Sequence, residues 1–196
     1  NAPAILQQAM HQTLGAYIDT FVLVYLDDIL IYSKSHAEHL KHLRQVLEAL
    51  RHDKFYCRVD KCKFGLSEIH YLGHLVSADG IKPDPVKLAV VKDWPVPSNI
   101  NELRSFLGLV SYFKRFIKSH VDIVRPLQSL VSKNAKWEWQ SAQQAAFQQA
   151  KSALLDAPVL ALPDPSQPYQ VFTDASMYGC GGILMQHERA VAFCGR

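Results

Sequence analysis

The sequence predicts an α+β fold, with antiparallel strand pairs and helices in separate runs. Three observations carry that reading. Residues 21–26 and 29–32 are short runs of β-branched and aromatic residues that meet at Asp27-Asp28, the pattern of a hairpin. Residues 69–76 and 81–83 repeat the arrangement around Asp79-Gly80, a dipeptide suited to a tight turn. Beyond them lie stripes of helical period, the longest formed by Leu103, Phe106, Leu107, Val110, Phe113 and Ile117.

Asn1 is placed to cap a first helix, with Pro3 in the first turn, where a missing N–H costs little. Ile5, Leu6, Ala9, Met10, Thr13 and Leu14 form its stripe, which ends near Gly15. After the aspartate hairpin, Ser35 caps a helix to about His52, with Leu40, Leu43, Val46, Leu47 and Leu50 as its core face. Residues 55–59 read as a strand. In the second hairpin Gly73 sits in strand context, where a glycine lets another backbone approach closely. Asp84-Pro85 opens a helix to about Asp93, closed by Trp94-Pro95-Val96-Pro97. Ser98 or Asn99 caps the long helix, whose outward face carries Arg104, Gly108, Ser111, Arg115 and Lys118. A further helix spans about 121–132. Trp137-Glu138-Trp139 begins a new unit: a helix over about 141–155 with Ala145, Phe147, Ala150 and Leu154 as contacts, a turn-rich connector through Pro158, Pro163 and Pro165, then strands near 169–174, 179–185 and 190–193.

Hydrophobic residues at 48% and charged residues at 20% give an ordinary globular balance, which excludes a disordered chain. No apolar run reaches the roughly 18 residues that span a bilayer, so no membrane partner is expected. The opening Asn1-Ala2-Pro3 carries no signal-peptide pattern and leads us to expect a fragment or processed product. Cys57, Cys62, Cys180 and Cys194 are too scattered for a disulfide framework and read as reduced, mostly buried thiols of an intracellular protein. His36, His39 and His42 read as solvated helix surface. The net charge of +3 is uneven: residues 82–136 hold ten Lys/Arg against four Asp/Glu, a local +6, which leaves −3 elsewhere. A basic stretch beside acidic ligands suits a polyphosphate partner.

Asp27 and Asp28 carry the chemistry. Two like charges side by side repel, and a divalent cation compensates them. Carboxylates at the tip of a stiff hairpin are the oxygen donors Mg²⁺ prefers, with sites left for water and substrate phosphates. Such a site suits phosphoryl transfer. A solvated acidic turn is the plain alternative.

The surrounding residues favour the metal. Tyr25-Leu26-Asp27-Asp28 matches the Tyr-X-Asp-Asp signature of reverse transcriptases. The string Val24-Tyr25-Leu26-Asp27-Asp28-Ile29-Leu30-Ile31-Tyr32-Ser33 resembles the form in long-terminal-repeat retrotransposons of the gypsy (Ty3-like) class. The likeness extends along essentially the whole chain. It implies a partial polymerase palm over residues 1–83, a helical thumb over 84–136, and over 137–196 a connector with the N-terminal part of a ribonuclease H-like α/β domain. By the same resemblance, Asp27 and Asp28 hold Mg²⁺ or Mn²⁺ for attack of a primer 3′-OH on the α-phosphate of a deoxynucleoside triphosphate. Gln7 and Tyr25 lie at the nucleotide and template base. Lys61-Cys62-Lys63-Phe64 is similar to the family's Lys-Cys-X-Phe element and offers Lys61, with Lys63 behind it, as proton donor to pyrophosphate. Leu72-Gly73-His74 resembles the primer grip, and Arg104, Gly108, Ser111, Arg115 and Lys118 face the duplex. Asp174, in Thr173-Asp174-Ala175-Ser176, resembles a ribonuclease H metal ligand.

The partners implied are an RNA/DNA template–primer, deoxynucleoside triphosphates and the remainder of a retroelement polyprotein, in a cytoplasmic particle or the nucleus. The resemblance also implies a third palm aspartate upstream and further ribonuclease H carboxylates downstream, so the chain alone is expected to be inactive. A domesticated, non-catalytic remnant that binds nucleic acid is the alternative; a product that never folds is a third reading.

Overall fold

The computed structural model describes residues 2–177 and 179–195 and divides the chain into two units, Asn1–Ser67 and Glu68–Arg196. Asn1, the expected cap, lies outside the described residues.

In the first unit, helix α1 (Ala2–Leu14) leads to strands β1 (Val22–Tyr25) and β2 (Asp28–Ile31), an antiparallel pair in which Tyr25 faces Asp28. Helix α2 (His36–His52) follows, with the Ser35 hydroxyl accepting from Glu38 N at 3.2 Å and the Glu38 carboxylate accepting from Lys34 N at 2.8 Å. These bonds satisfy amides that a helix start leaves open. Met10, Leu14, Phe21, Val22, Val46 and Leu50 form the core, supplied by the apolar stripes of both helices and by the residues that open β1.

Three expectations fail in this unit, and one about the thiols fails in both. Leu40 and Leu47 are 55% and 42% exposed and Leu43 is half-buried, because two strands of four residues are too small to cover a 17-residue helix. Residues 55–59 form no strand: Phe55 N donates to Leu50 O at 2.8 Å, Arg58 pairs with Asp60 at 2.6 Å, and the chain turns into a single 3₁₀ turn, Val59–Lys61. β-Propensity without a neighbouring strand leaves the backbone unpaired, so the turn wins. His39 and His42 are half-buried rather than solvated. Ser33 Oγ lies 3.2 Å and 2.8 Å from their Nδ1 atoms, and the His42 ring stacks on Phe21 at 3.7 Å. The thiols of Cys57, Cys180 and Cys194 are exposed, and Cys62 is half-buried.

The second unit opens with a three-stranded antiparallel meander: β3 (Glu68–Tyr71), β4 (His74–Ser77) and β5 (Gly80–Pro83). This corrects the single hairpin. Leu72-Gly73 is the first turn, with φ of +46° and +70°, so Gly73 stands at a turn and not within a strand. Ala78-Asp79 is the second turn, and Gly80 opens β5.

Helices α3 (Pro85–Lys92), α4 (Ile100–Tyr112), α5 (His120–Ser129) and α6 (Ser141–Leu155) share one core. Asn99 caps α4, its side-chain oxygen accepting from Asn101 N and Glu102 N at 3.0 Å. Phe106 of α4 meets Phe147 of α6 at 4.6 Å between ring centres. Trp139 meets the edge of Phe147 at 5.9 Å and donates from Nε1 to Gln144 at 2.8 Å. The buried face of α6 is Ala146, Phe147, Ala150 and Leu154; Ala145, expected there, is exposed because the stripe begins one position later. α4 stops at Tyr112, and Phe116 and Ile117 reach the core from a 3₁₀ turn, Lys114–Phe116.

Strands β6 (Gln170–Ser176), β7 (Gly179–Gln186) and β8 (Arg189–Gly195) form an antiparallel sheet. The connector before it is tied at two points. Leu160 and Ile81 exchange backbone bonds of 2.8 and 2.9 Å, and Ala161 N donates to Ala190 O at 2.7 Å. Buried Gln186 closes the turn by accepting from Asp164 N and donating to Asp164 O and Gln167 O. Among the described residues no helix is long and apolar enough to cross a membrane.

Gly80 has φ +138°, and a Cβ there would lie 2.0 Å from Leu160 O, whereas a Cβ at Gly108 in α4 meets open space. Gly80→Ala is therefore expected to lower stability by about 2 kcal/mol or more. Gly108→Ala should raise it by about 0.5–1 kcal/mol, since alanine suits a helix interior better. Urea midpoints of the two variants check both signs.

Candidate functional site

The β1–β2 connection has two residues, Leu26 and Asp27, and Asp28 is the first residue of β2. Leu26 takes φ +54°, a backbone state that costs a branched residue roughly 1–2 kcal/mol. Gln7 of α1 compensates: its Oε1 accepts from Leu26 N at 2.5 Å while its Nε2 reaches Val24 O at 3.5 Å. One amide thus spans the turn and braces the backbone from which the two carboxylates project. Asp27, Asp28 and Tyr25 are all exposed. Lys61 is exposed at the end of its 3₁₀ turn. Among the described residues no group of three His, Cys, Asp or Glu side chains comes together to hold a metal, so Asp27 and Asp28 stand as a pair and Asp174 without two companions.

In the second unit Leu72, Gly73 and His74 belong to one cluster. Leu72 O accepts from Tyr112 Oη at 2.6 Å and from His74 Nδ1 at 2.7 Å, and Asp84 N donates to Gly73 O at 3.1 Å. The His74 ring lies among Tyr112, Phe113 and Phe116 at 5.6–5.7 Å, with Nε2 buried and unpartnered. Burial pulls the His74 pKa below its ordinary value; the bond to Leu72 O opposes this, and the charges of Arg115 and Lys87 add to the lowering. Asp84 caps α3 by accepting from Val86 N at 2.8 Å and pairs with His70 at 3.0 Å. Burial pushes its pKa up, but these bonds prevail and hold it low.

Arg104, Gly108 and Ser111 are exposed on α4. Arg115 leaves that face: the 3₁₀ turn swings it inward, where Nη2 reaches Val191 O at 3.5 Å and Nε is buried without a partner. Its expected duplex contact therefore lacks the helical register that suggested it. Lys118 and Asp174 line one cleft of about 240 Å³, with His120, Phe172, Cys180 and Gly182 among its walls. Burial, helped by Lys114, lowers the His120 pKa. Sequence reasoning missed Tyr112 and Lys87 beside Gly73; an aromatic standing off the apolar stripe of α4 was the available signal.

Residues 1–76 match the family model for reverse transcriptase (RNA-dependent DNA polymerase), and residues 139–196 match that of the RNase H-like domain found in reverse transcriptase. The chain belongs to the reverse transcriptase family and carries the RNase H-like domain found in it, and the curated relatives it matches are transposon polyproteins of the Ty3/gypsy type. It is 37% identical over 197 residues to the retrovirus-related Pol polyprotein from transposon 297 of Drosophila melanogaster, covering 100% of the chain and 19% of that protein. It is 36% identical over 185 residues to the transposon Tf2-3 polyprotein of Schizosaccharomyces pombe, covering 94% of the chain and 14% of the relative. The chain thus spans less than a fifth of either. Among solved structures, the foamy viral protease-reverse transcriptase in complex with double-stranded DNA aligns with a TM-score of 0.91 at 24% identity, over 100% of this chain and 35% of that one. The same enzyme with an RNA/DNA hybrid gives 0.88 at 24% identity, over 100% and 27%. At that identity the likeness is one of fold.

Gln7→Ala would leave the Leu26 N–H without its partner and is expected to cost about 1–3 kcal/mol, read from the urea midpoint. For His74 the unfolded chain takes a proton more readily than the folded one. Stability should therefore hold above the ordinary histidine value of 6.5 and fall as pH drops below it. Unfolding midpoints followed from about pH 7.5 to 5 should show that decline, shallower in His74→Phe. His120 keeps part of the slope.

Proposed function

We propose that this chain is the catalytic-hairpin, primer-gripping and thumb segment of an RNA-directed DNA polymerase, continuous with the start of a ribonuclease H. The observation that carries this reading is the Gln7-braced turn, which presents Asp27 and Asp28 together and exposed. Adjacent carboxylates fit Mg²⁺, which takes one or two from the protein and fills its shell with water and phosphate oxygens. A divalent ion bound there would neutralise charge developing on the phosphates during nucleotidyl transfer. Asp27 and Asp28 hold that charge at the 3′ end of the primer, Tyr25 and Gln7 flank the nucleotide, and Lys61 is the candidate proton donor to pyrophosphate. Leu72, Gly73 and His74 support the primer terminus. Arg104, Ser111 and Lys118 neutralise duplex phosphates, and Gly108 lets the backbone approach. The partner is a template–primer duplex, which a copying enzyme must hold by shape and backbone contacts rather than by sequence. Asp174 is the corresponding candidate for the ribonuclease site.

Two ions need more anchoring than one aspartate pair gives, and no third ligand joins it among the described residues. This favours a chain that binds template–primer but does not extend it alone. Primer extension on a homopolymer template checks this: the isolated chain should give no product, and robust synthesis would refute the need for further ligands. In a polyprotein segment that does extend primers, Asp27→Asn should cut the rate by on the order of 10³-fold or more while duplex affinity stays within about twofold.

A further inference from the structure

We infer that Cys57 and Cys62 form a dithiol site, set by the Val59–Lys61 turn, that exchanges with a low-molecular-weight disulfide and closes into an intramolecular disulfide. Neither cysteine belongs to the metal, nucleotide or duplex residues assigned above, and the chemistry of the pair does not depend on the polymerase reading.

The turn brings the two sulfurs together. Lys61 N donates to Arg58 O at 3.0 Å and Cys62 N to Val59 O at 3.1 Å, so the backbone doubles back within one turn. The Cys62 thiol follows that direction, its Sγ donating to Arg58 O at 3.3 Å. Arg58 is itself fastened to Asp60, Nη2 to Oδ2 at 2.6 Å. Cys57 immediately precedes Arg58, and its thiol shares a hydrogen bond with that of Cys62. Partial burial, then the neighbouring thiol, pushes the Cys57 pKa above its ordinary value.

Both sulfurs can be reached. Cys57 is exposed and Cys62 half-buried, whereas a free cysteine that only fills space is among the most buried of residues. Among the described residues no third His, Cys, Asp or Glu joins them to hold a metal, which leaves the chemistry of two thiols. In that chemistry the exposed Cys57, as thiolate, attacks one sulfur of the small disulfide, expels a small thiolate and leaves a mixed disulfide on the chain. The Cys62 thiolate then attacks Cys57 Sγ and expels the second small thiolate. The two protons given up by the cysteines go to the departing thiolates. One S–S bond forms in the chain and one breaks in the oxidant, so the chain loses two electrons and the small disulfide gains two. Lys61 stands inside the ring that results, so closure fixes the backbone that carries it.

The test uses the 196-residue chain with Cys180→Ser and Cys194→Ser, treated with glutathione disulfide at about pH 8, alkylated, digested and mapped by mass spectrometry. Trypsin cuts after Lys54, Arg58, Lys61 and Lys63, so closure appears as residues 55–58 linked to 62–63. With both cysteines present, glutathione should be lost from the chain as the linkage forms. Adding Cys62→Ser should instead trap glutathione on Cys57, and adding Cys57→Ser should slow its uptake several-fold. Closure should also slow several-fold in concentrated urea, because the turn that orients the thiols is then gone. Lasting adducts on both cysteines, linkage only between chains, or no reaction at either thiol overturns the site. Faster uptake in Cys57→Ser than in Cys62→Ser overturns the order of attack, and closure as fast in urea as in buffer overturns the part given to the turn.

Discussion

The aspartate pair is useful only if the turn beneath it is fixed, and one side-chain amide does the fixing. Gln7 offers an acceptor to Leu26 N and a donor toward Val24 O, so a single planar group reads both the turn and the strand before it. A primary amide brings an acceptor and a donor on two separate atoms at the end of one stem. Leu26 pays for its left-handed backbone through that bond, and Met10 and Leu14 of α1 hold the helix that carries it. The chain of cause runs from an apolar stripe in α1, to the seating of Gln7, to the shape of the turn that carries Asp27.

The second unit applies the same logic with different chemistry. There the turn at Leu72 and Gly73 is fixed by a phenol and an imidazole that share one carbonyl. Keeping His74 neutral among aromatic rings lets its Nδ1 act as a plain donor at neutral pH, without adding a buried charge next to Arg115 and Lys87. The positive charge of this region is consequently displayed by Lys87 and by α4, not by the residue that shapes the turn.

Much of this was legible because it is local. The hairpin at Asp27-Asp28, the helix caps at Ser35 and Asn99 and the stripe of α4 depend on residues a few positions apart, and each stands where the pattern places it. What was not legible depends on which neighbours exist. Residues 55–59 have the composition of a strand and lack a strand to pair with. Leu40 and Leu47 have the period of a core face and nothing broad enough to cover them. Arg115 has helical spacing from Ser111, but α4 ends at Tyr112 and a tighter turn carries the guanidinium toward β8. Tyr112 stands off the apolar stripe of the long helix, and its bond to Leu72 joins parts of the chain no local rule connects. Ala145 and Ala146 differ only in which side of one helix they occupy, a distinction that periodicity alone resolves poorly.

Helix α6, which opens the region matching the RNase H-like family, is packed into the same interior as α4 and α5, with Phe147, Ala150 and Leu154 in their shared core. The connector beyond it is stitched to β5 through Leu160 and to β8 through Ala161. Segments joined in this way do not behave as interchangeable cassettes. Replacing everything from Trp137 onward with a relative's residues would import a helix shaped to a foreign interior, so such an exchange would have to carry α4 and α5 along with it.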